Sequence, residues 1–181
     1  MVPSMNELER LADLLTKRRH IDSDISSIIG RPSLPSHIGE FIASRIFGIK
    51  LEVSATTKSI DGVFVEGPLK GKTVNVKLYG KQEGILDITT HSLADYYLVL
   101  TGPKSPPLTS RGATRPLVID HVYLFEMRTL VKSLMNRNLK VGIATSVAKD
   151  YWDQAEIYPD QNNKELILTG EQSRQLRLFG T

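Results

Sequence analysis

The sequence contains no cysteine among its 181 residues, which excludes disulfide bonds, thiolate metal sites and cysteine nucleophiles. It also lacks an uninterrupted apolar run of the ~18 residues that a membrane-spanning helix needs, and it shows no signal-peptide pattern. These absences predict a cytoplasmic protein that has no membrane partner.

Several catalytic signatures are missing as well. The four histidines are scattered along the chain without the spacing of a zinc site, at positions 20, 37, 91 and 121. There is no Gly-x-Ser-x-Gly elbow, no Walker-type glycine loop and no dinucleotide-binding fingerprint. The sequence therefore argues against a zinc enzyme, a serine hydrolase of the elbow type and the common nucleotide-binding folds.

Charge is nearly balanced, with 23 basic and 20 acidic residues and a formal net charge of +3. This permits binding to nucleic acid without requiring it, so the positions of the cations decide. Residues 102–116 form a predicted loop that is longer than the usual connection of about 2–6 residues, and they include Lys104, Arg111 and Arg115. We expect these cations either to contact the phosphates of duplex DNA or to lie on a merely exposed loop.

Apolar periodicity predicts most of the helices and strands. A long first helix is predicted over Met5–Ile29, and its cationic cluster at 17–20 marks a solvated face, a bend or a phosphate contact. Ser36 is predicted to cap a second helix over 37–47, which Gly48 closes. Further helices are predicted over 126–137, 148–152 and 171–178, and strands over 50–53, 62–66, Thr73–Tyr79, Tyr96–Thr101, 118–125 and 140–144.

This order of elements favours the α/β class, with a mixed central β-sheet flanked by helices and an N-terminal helical extension. The run 96–100 is almost continuously apolar, as in a central strand that is covered on both faces. At this length we expect a single domain over 1–181. It comprises an N-terminal helical segment (1–30), a core (36–145) and a helical or irregular C-terminal segment (146–181).

A carboxylate and a lysine fall on neighbouring predicted strands. Asp61 starts one strand, and Lys77 lies in the next, two residues after Asn75, so that Asn75 and Lys77 share a face. Phosphodiester hydrolysis needs charge neutralisation and an activated water, which Mg²⁺ held by carboxylate and carbonyl oxygens beside a lysine can supply. The Val76 carbonyl can add an oxygen. Taken alone, the same residues are also typical of a turn aspartate and an exposed strand lysine.

These residues resemble the PD-(D/E)XK phosphodiesterase superfamily, which includes restriction endonucleases and Holliday-junction resolvases. In that superfamily a helix glutamate precedes a strand hairpin that bears an aspartate and then (Asp/Glu)-x-Lys; here Glu40, Asp61 and Asn75-Val76-Lys77 stand in that order. More narrowly, residues 38–43, 61–64, 67–77 and 95–102 resemble an uncharacterised prokaryotic family that is restriction-endonuclease-like. The resemblance covers roughly residues 36–104.

The resemblance implies a restriction-endonuclease-like fold, and it implies a Mg²⁺ or Mn²⁺ site formed by Glu40, Asp61 and Asn75, with Lys77 as the catalytic lysine. The chain departs from the pattern at Asn75, where a carboxylate is expected and where a neutral amide offers one oxygen without charge. Three outcomes are open. Asn75 acts as a neutral ligand, another carboxylate (Glu40, Glu83 or Asp87) compensates, or the site is degenerate.

The resulting hypothesis is a metal-dependent DNA endonuclease, such as a type II restriction enzyme, that acts as a homodimer because two strands must be cut. One alternative is a catalytically inactive nucleic-acid-binding module on a nuclease-like scaffold, which Asn75 favours. Another is a protein-interaction or assembly domain, which the apolar stripes of the N-terminal helices favour.

Overall fold

Helices flank a mixed β-sheet. The computed structural model of the protein describes residues 5–52, 59–90, 93–105 and 116–181. The helices are α1 (Met5–Ile29), α2 (Pro35–Phe47), α3 (Met127–Asn136), α4 (Lys149–Ala155) and α5 (Gly170–Leu176), followed by a 3₁₀ turn (Arg177–Phe179). The strands are β1 (Ile49–Leu51), β2 (Gly62–Phe64), β3 (Thr73–Tyr79), β4 (Ile85–Leu86), β5 (Tyr96–Thr101), β6 (His121–Glu126), β7 (Thr145–Ser146) and β8 (Glu156–Tyr158).

Six strands form the main sheet in the order β1-β2-β3-β5-β6-β8, and β4 and β7 form a separate pair. Strands β3 and β5 run parallel, whereas the other neighbours in the sheet run antiparallel. The predicted α/β class with a mixed sheet is therefore confirmed. Every residue of β5 is buried, as predicted for a central strand with both faces covered.

The two faces of the sheet have separate cores. Val74 and Val76 of β3 lie in the core on the α2 side, and Leu78 packs against it. The intervening residues of β3 face the other side, because side chains alternate along a strand. That second core includes Tyr97, Tyr123 and the buried faces of α3 and α4.

Helix α2 lies directly on β3. A Cβ atom added to Gly39 would come within 2.8 Å of the Leu78 Cβ, so only glycine permits this approach. The predicted Ser36 cap is wrong, because the helix starts at Pro35, two residues earlier than predicted, and the fixed φ of this proline already suits the first helical turn. The predicted end is confirmed, since Gly48 adopts a left-handed φ of 61° and its N–H bonds the Ser44 carbonyl.

Short elements account for the other differences. The strand predicted over 140–144 is wrong: Ala144 has a positive φ of 55° in a turn, and the strand follows at Thr145–Ser146. Strands β4, β7 and β8 have two or three residues each, which is too short for apolar periodicity to reveal. Strand β8 nevertheless joins the main sheet beside β6.

Helix α1 is continuous over the predicted range, without a bend at the cationic cluster. Within the described parts of the chain, no helix is both long enough and apolar enough to cross a membrane.

Candidate active site

Asp61 is hydrogen-bonded to the middle of β3. Its carboxylate accepts a hydrogen bond of 2.7 Å from the backbone N–H of Val76, and its own N–H donates to the Val74 carbonyl at 2.9 Å. Strand β2 pairs with β3 over only two residue pairs, so the Asp61 side chain satisfies a donor of β3 just beyond the last of them. The acid is thereby held at a defined position beside β3.

Asp61 lies beside the part of β3 that bears Asn75 and Lys77. The antiparallel register of β2 and β3 ends at Gly62, opposite Val74, and the backbone N–H of Asp61 bonds the carbonyl of that same residue, next to Asn75. Asn75 and Lys77 share one face of β3 because side chains alternate along a strand, and Lys77 is close enough to the Asp61 carboxylate for its charge to lower the pKa of that acid. The three residues predicted to act together are therefore neighbours.

Lys77 lies over an aromatic ring. Its Nζ is 5.6 Å from the centre of the Tyr97 ring, on the neighbouring strand β5. The Tyr97 hydroxyl accepts a hydrogen bond of 3.1 Å from the Thr89 N–H, and burial raises the pKa of this hydroxyl so that it stays neutral. A cation at this distance from a ring face is attracted by the ring quadrupole. Tyr97 thus restrains the ammonium group on the side of Asp61 and Asn75.

Glu40 approaches the same site from α2. Its side chain is only 12% exposed, and its carboxylate forms an ion pair with Arg31, which precedes α2 in the break after α1. Glu40 is close enough to Asp61 for its charge to raise the pKa of that acid. Glu40 therefore lies in a polar environment, which it shares with a cation.

The charges around Asp61 oppose one another. Burial raises the pKa of Asp61 above its ordinary value, and the hydrogen bond from Val76 lowers it. Glu40 raises the pKa further, while Lys77 and Arg31 lower it. The ionised form of a half-buried carboxylate whose pKa is raised in this way is stabilised by the approach of another cation.

Asn75 is buried, and its Oδ1 atom has no hydrogen-bond partner among the residues that the structure describes. An unpaired buried acceptor costs about 1–3 kcal/mol, and a hard cation would satisfy it. Mg²⁺ prefers oxygen ligands, and this corner of the fold offers the carboxylates of Asp61 and Glu40 with the amide oxygen of Asn75. The residues present therefore fit such an ion in ligand type, with two formal negative charges.

Among the described residues, no third acid joins Asp61 and Glu40. Among residues 5–52, 59–90, 93–105 and 116–181, no three histidine, aspartate or glutamate side chains lie close enough together to hold a metal ion. Neither Glu83 nor Asp87 therefore completes a set with Glu40 and Asp61. The Asp87 carboxylate instead accepts a hydrogen bond of 2.8 Å from the Ala144 N–H and holds the turn before β7.

The loop cations divide into two groups. Arg111 and Arg115 lie outside the described residues, so their role in DNA binding stays a prediction. Lys104 is described, and its Nζ lies 2.9 Å from Glu156, whose side chain is 2% exposed. His121 contacts the other oxygen of Glu156 at 2.6 Å. Lys104 therefore neutralises a buried carboxylate of β8, in addition to any contact with phosphate.

Two residues of the site were not predicted from the sequence. Arg31 stands in a segment whose glycine and prolines indicated only a break, and its partner Glu40 is nine residues away on a different element. Tyr97 was expected in the core, where it does lie, but its contact with Lys77 depends on the parallel pairing of β3 and β5. A cation directly before the glutamate-bearing helix is the one signal that sequence offered.

Neither a protein-family model nor a curated protein matches this chain. Any function assigned to it therefore depends on its own residues and their geometry.

Proposed function

We propose that the protein is a metal-dependent DNA endonuclease of the PD-(D/E)XK type, with Glu40, Asp61, Asn75 and Lys77 at its centre. The observation that carries the proposal is the 2.7 Å hydrogen bond from Val76 to the Asp61 carboxylate. It holds an acid beside the strand that bears Asn75 and Lys77, which is the arrangement that the superfamily's order of residues requires.

Four groups would hold the metal. Asp61 and Glu40 supply negative charge, whereas the Asn75 amide and the Val76 backbone carbonyl supply neutral oxygens. The N–H and C=O groups of one strand residue lie on the same edge of the strand, so the Val76 carbonyl lies on the edge that Asp61 occupies. When bound, Mg²⁺ or Mn²⁺ neutralises charge on the phosphate and lowers the pKa of a water.

Lys77 orients the attacking water and offsets the negative charge that develops on the phosphate. Its ammonium group is suited to this because the Tyr97 ring restrains it without neutralising it. Arg31 sits beside the acids and is 44% exposed, so it can transfer from Glu40 to a phosphate when a metal takes its place.

Duplex DNA is the proposed substrate and the cytoplasm the proposed location. Cutting both strands calls for two sites, and hence for a homodimer, with type II restriction as one form of the activity. Lys104, Arg111 and Arg115 are the proposed contacts to the phosphate backbone, which position a duplex without reading its sequence.

Cleavage of supercoiled and linear duplex DNA with Mg²⁺ or Mn²⁺ tests the proposal. Asp61→Asn and Lys77→Met should each lower the single-turnover rate by about 100-fold or more, since each removes a charge from the reacting centre. Lys70→Met is the matched control, because Lys70 is an exposed lysine on the turn between β2 and β3. No cleavage by the wild type, or equal cleavage by all four proteins, would reject the assignment.

A nucleic-acid-binding module without turnover is the second candidate. It is favoured by the neutral amide at Asn75 and by the ion pair that already occupies Glu40. Salt-dependent DNA binding that survives Asp61→Asn, with no cleavage under either metal, would support this reading. Failure to bind any nucleic acid would exclude both candidates.

A further inference from the structure

Helix α1 carries large apolar side chains that the rest of the described chain leaves uncovered. Residues 6–21 are all exposed. The large apolar side chains of α1 that are about half exposed or more are Leu8, Leu11, Leu14, Leu15, Ile21 and Ile28. Most helical stability in proteins comes from burying an apolar face, which residues 6–21 of α1 do not do against the other described residues. This helix therefore requires a partner surface.

The C-terminal turns of α1 border an apolar groove. Ile25, Ile28 and Ile29 line it together with Phe41 of α2 and Leu178 of the 3₁₀ turn, and its volume is about 430 Å³. The uncovered face of α1 is thus continuous with a groove at its base. A ligand that covered the helix would also meet the groove.

Six apolar residues of α1 are arranged symmetrically about Arg18. Leucines lie 10, 7 and 3 residues before it, and isoleucines lie 10, 7 and 3 residues after it: Leu8, Leu11 and Leu15, then Ile28, Ile25 and Ile21. Two such helices placed antiparallel, with a two-fold axis at Arg18, bring each of these three leucines opposite one of the three isoleucines. A parallel pair would instead place each residue opposite itself, so that the leucine and isoleucine halves would not meet.

Charge at the axis is neutralised within each helix. The Nε of Arg18 lies 3.5 Å from the Asp22 carboxylate, and Lys17 Nζ lies 2.8 Å from Asp13. Two Arg18 side chains that met at the axis would therefore each bring a neutralising acid. A polar residue at one position of an apolar seam is also a device that fixes register.

We propose that two copies of this chain associate through α1, as an antiparallel pair about a two-fold axis at Arg18. Leu8 and Leu11 pack against Ile28 and Ile25 of the partner subunit, beside the partner's groove. The axis repeats every contact, so each leucine–isoleucine pair occurs twice. The inference deepens the proposed function by naming the partner that a two-strand cut needs, but it depends on α1 alone.

The molar mass of the full chain, measured by light scattering and sedimentation over a range of concentrations, tests the association. Leu11→Lys should raise the dimer dissociation constant by ~100-fold or more, because the two-fold axis buries both introduced charges. Leu11 is 51% exposed in one copy, so this change should leave the fold intact, which circular dichroism checks. Ser27→Lys, an exposed position on the opposite side of the helix, is the charge-matched control and should have no effect.

The absence of cysteine makes the direction of pairing measurable. A short bis-maleimide should join Leu11→Cys to Ile25→Cys when the two variants are mixed, and it should not join Leu11→Cys to itself. Arg18→Cys alone should cross-link, since the axis brings two copies of that position together.

Three results would overturn the inference. They are a monomeric mass up to ~100 µM, a dimer that Leu11→Lys leaves unchanged, and self-cross-linking of Leu11→Cys, which indicates a parallel pair. A monomer that cleaves DNA would overturn this inference alone. A dimer that fails to cleave would overturn the proposed function alone.

Discussion

The Asp61 carboxylate accepts a hydrogen bond from the backbone N–H of Val76, the residue between Asn75 and Lys77. This single contact joins the acid that begins one strand to the middle of the next. The chemistry proposed for the site depends on this relationship more than on any other.

Asp61→Asn should stabilise the free protein at neutral pH. Burial raises the pKa of Asp61, so the folded state binds its proton more tightly than the unfolded chain does, and ionisation costs stability. That cost begins as pH passes the unfolded pKa of about 3.9 and is complete above the raised folded pKa. The asparagine oxygen can still accept from Val76.

Thermal melting of both proteins from about pH 3 to about pH 8 checks this. The variant's advantage should be smallest at the acid end and should grow across the window in which Asp61 ionises. If the melting temperature of the wild type were higher than that of Asp61→Asn at neutral pH without metal, the proposed cause of the pKa shift would be contradicted.

Asn75→Asp should tighten divalent-metal binding by roughly tenfold or more, because it adds a negative charge beside Asp61. The metal-free protein should lose about 1–3 kcal/mol of stability, since a second buried acid would lie next to the first. Calorimetric titration with Mn²⁺ and melting with and without the ion measure the two effects. Asn75→Leu, which removes the unpaired oxygen, is the control and should abolish stabilisation by metal. Equal metal affinity in Asn75→Asp and wild type would place the ion elsewhere.

Lys104→Met should destabilise the fold by about 1–3 kcal/mol, because it leaves the buried Glu156 carboxylate with His121 as its only side-chain partner among the described residues. This loss of stability is smaller than is usual when a buried ion pair is broken, since Lys104 itself is partly exposed. Urea unfolding measures the loss, with Lys70→Met as the exposed-lysine control. If Lys104 served only as a phosphate contact, DNA binding would weaken while the urea midpoint stayed unchanged.

Gly39→Ala should displace α2 from β3 and carry Glu40 away from Asp61. The added methyl would lie 2.8 Å from the Leu78 Cβ. Overpacking of this kind typically lowers the free energy of unfolding by about 1–3 kcal/mol. Melting temperature and cleavage rate should fall together. Gly170→Ala is the matched control, because its methyl meets no atom within 4 Å and should be neutral. A Gly39→Ala variant with unchanged melting would show that α2 is free to shift.

Long elements with regular periodicity could be predicted from the sequence. The bounds of α1, β3 and β5 match the predicted ranges, since each has enough residues to repeat a helical or strand pattern. The two-residue strands β4 and β7 could not be found, because two residues define no period. The start of α2 was misplaced because Pro35, rather than a side-chain cap, sets it.

For the candidate site, sequence was sufficient wherever residues are close along the chain. Asn75 and Lys77 share a face because strand side chains alternate, which needs no tertiary information. The order of Glu40, Asp61 and Lys77 was legible as well, through its resemblance to a known superfamily. Whether this order amounts to catalysis stays a prediction.

Sequence by itself thus determined the class of fold, the alternation of β3 and the symmetric spacing of α1, because propensity and periodicity are local properties. Tertiary structure alone decided that Arg31 pairs with Glu40, that Tyr97 lies under Lys77 and that Lys104 neutralises Glu156. The physical reason is that ion pairs and ring contacts depend on distances of a few ångströms between elements far apart in the chain. Only the packing of helices on a particular sheet order sets those distances.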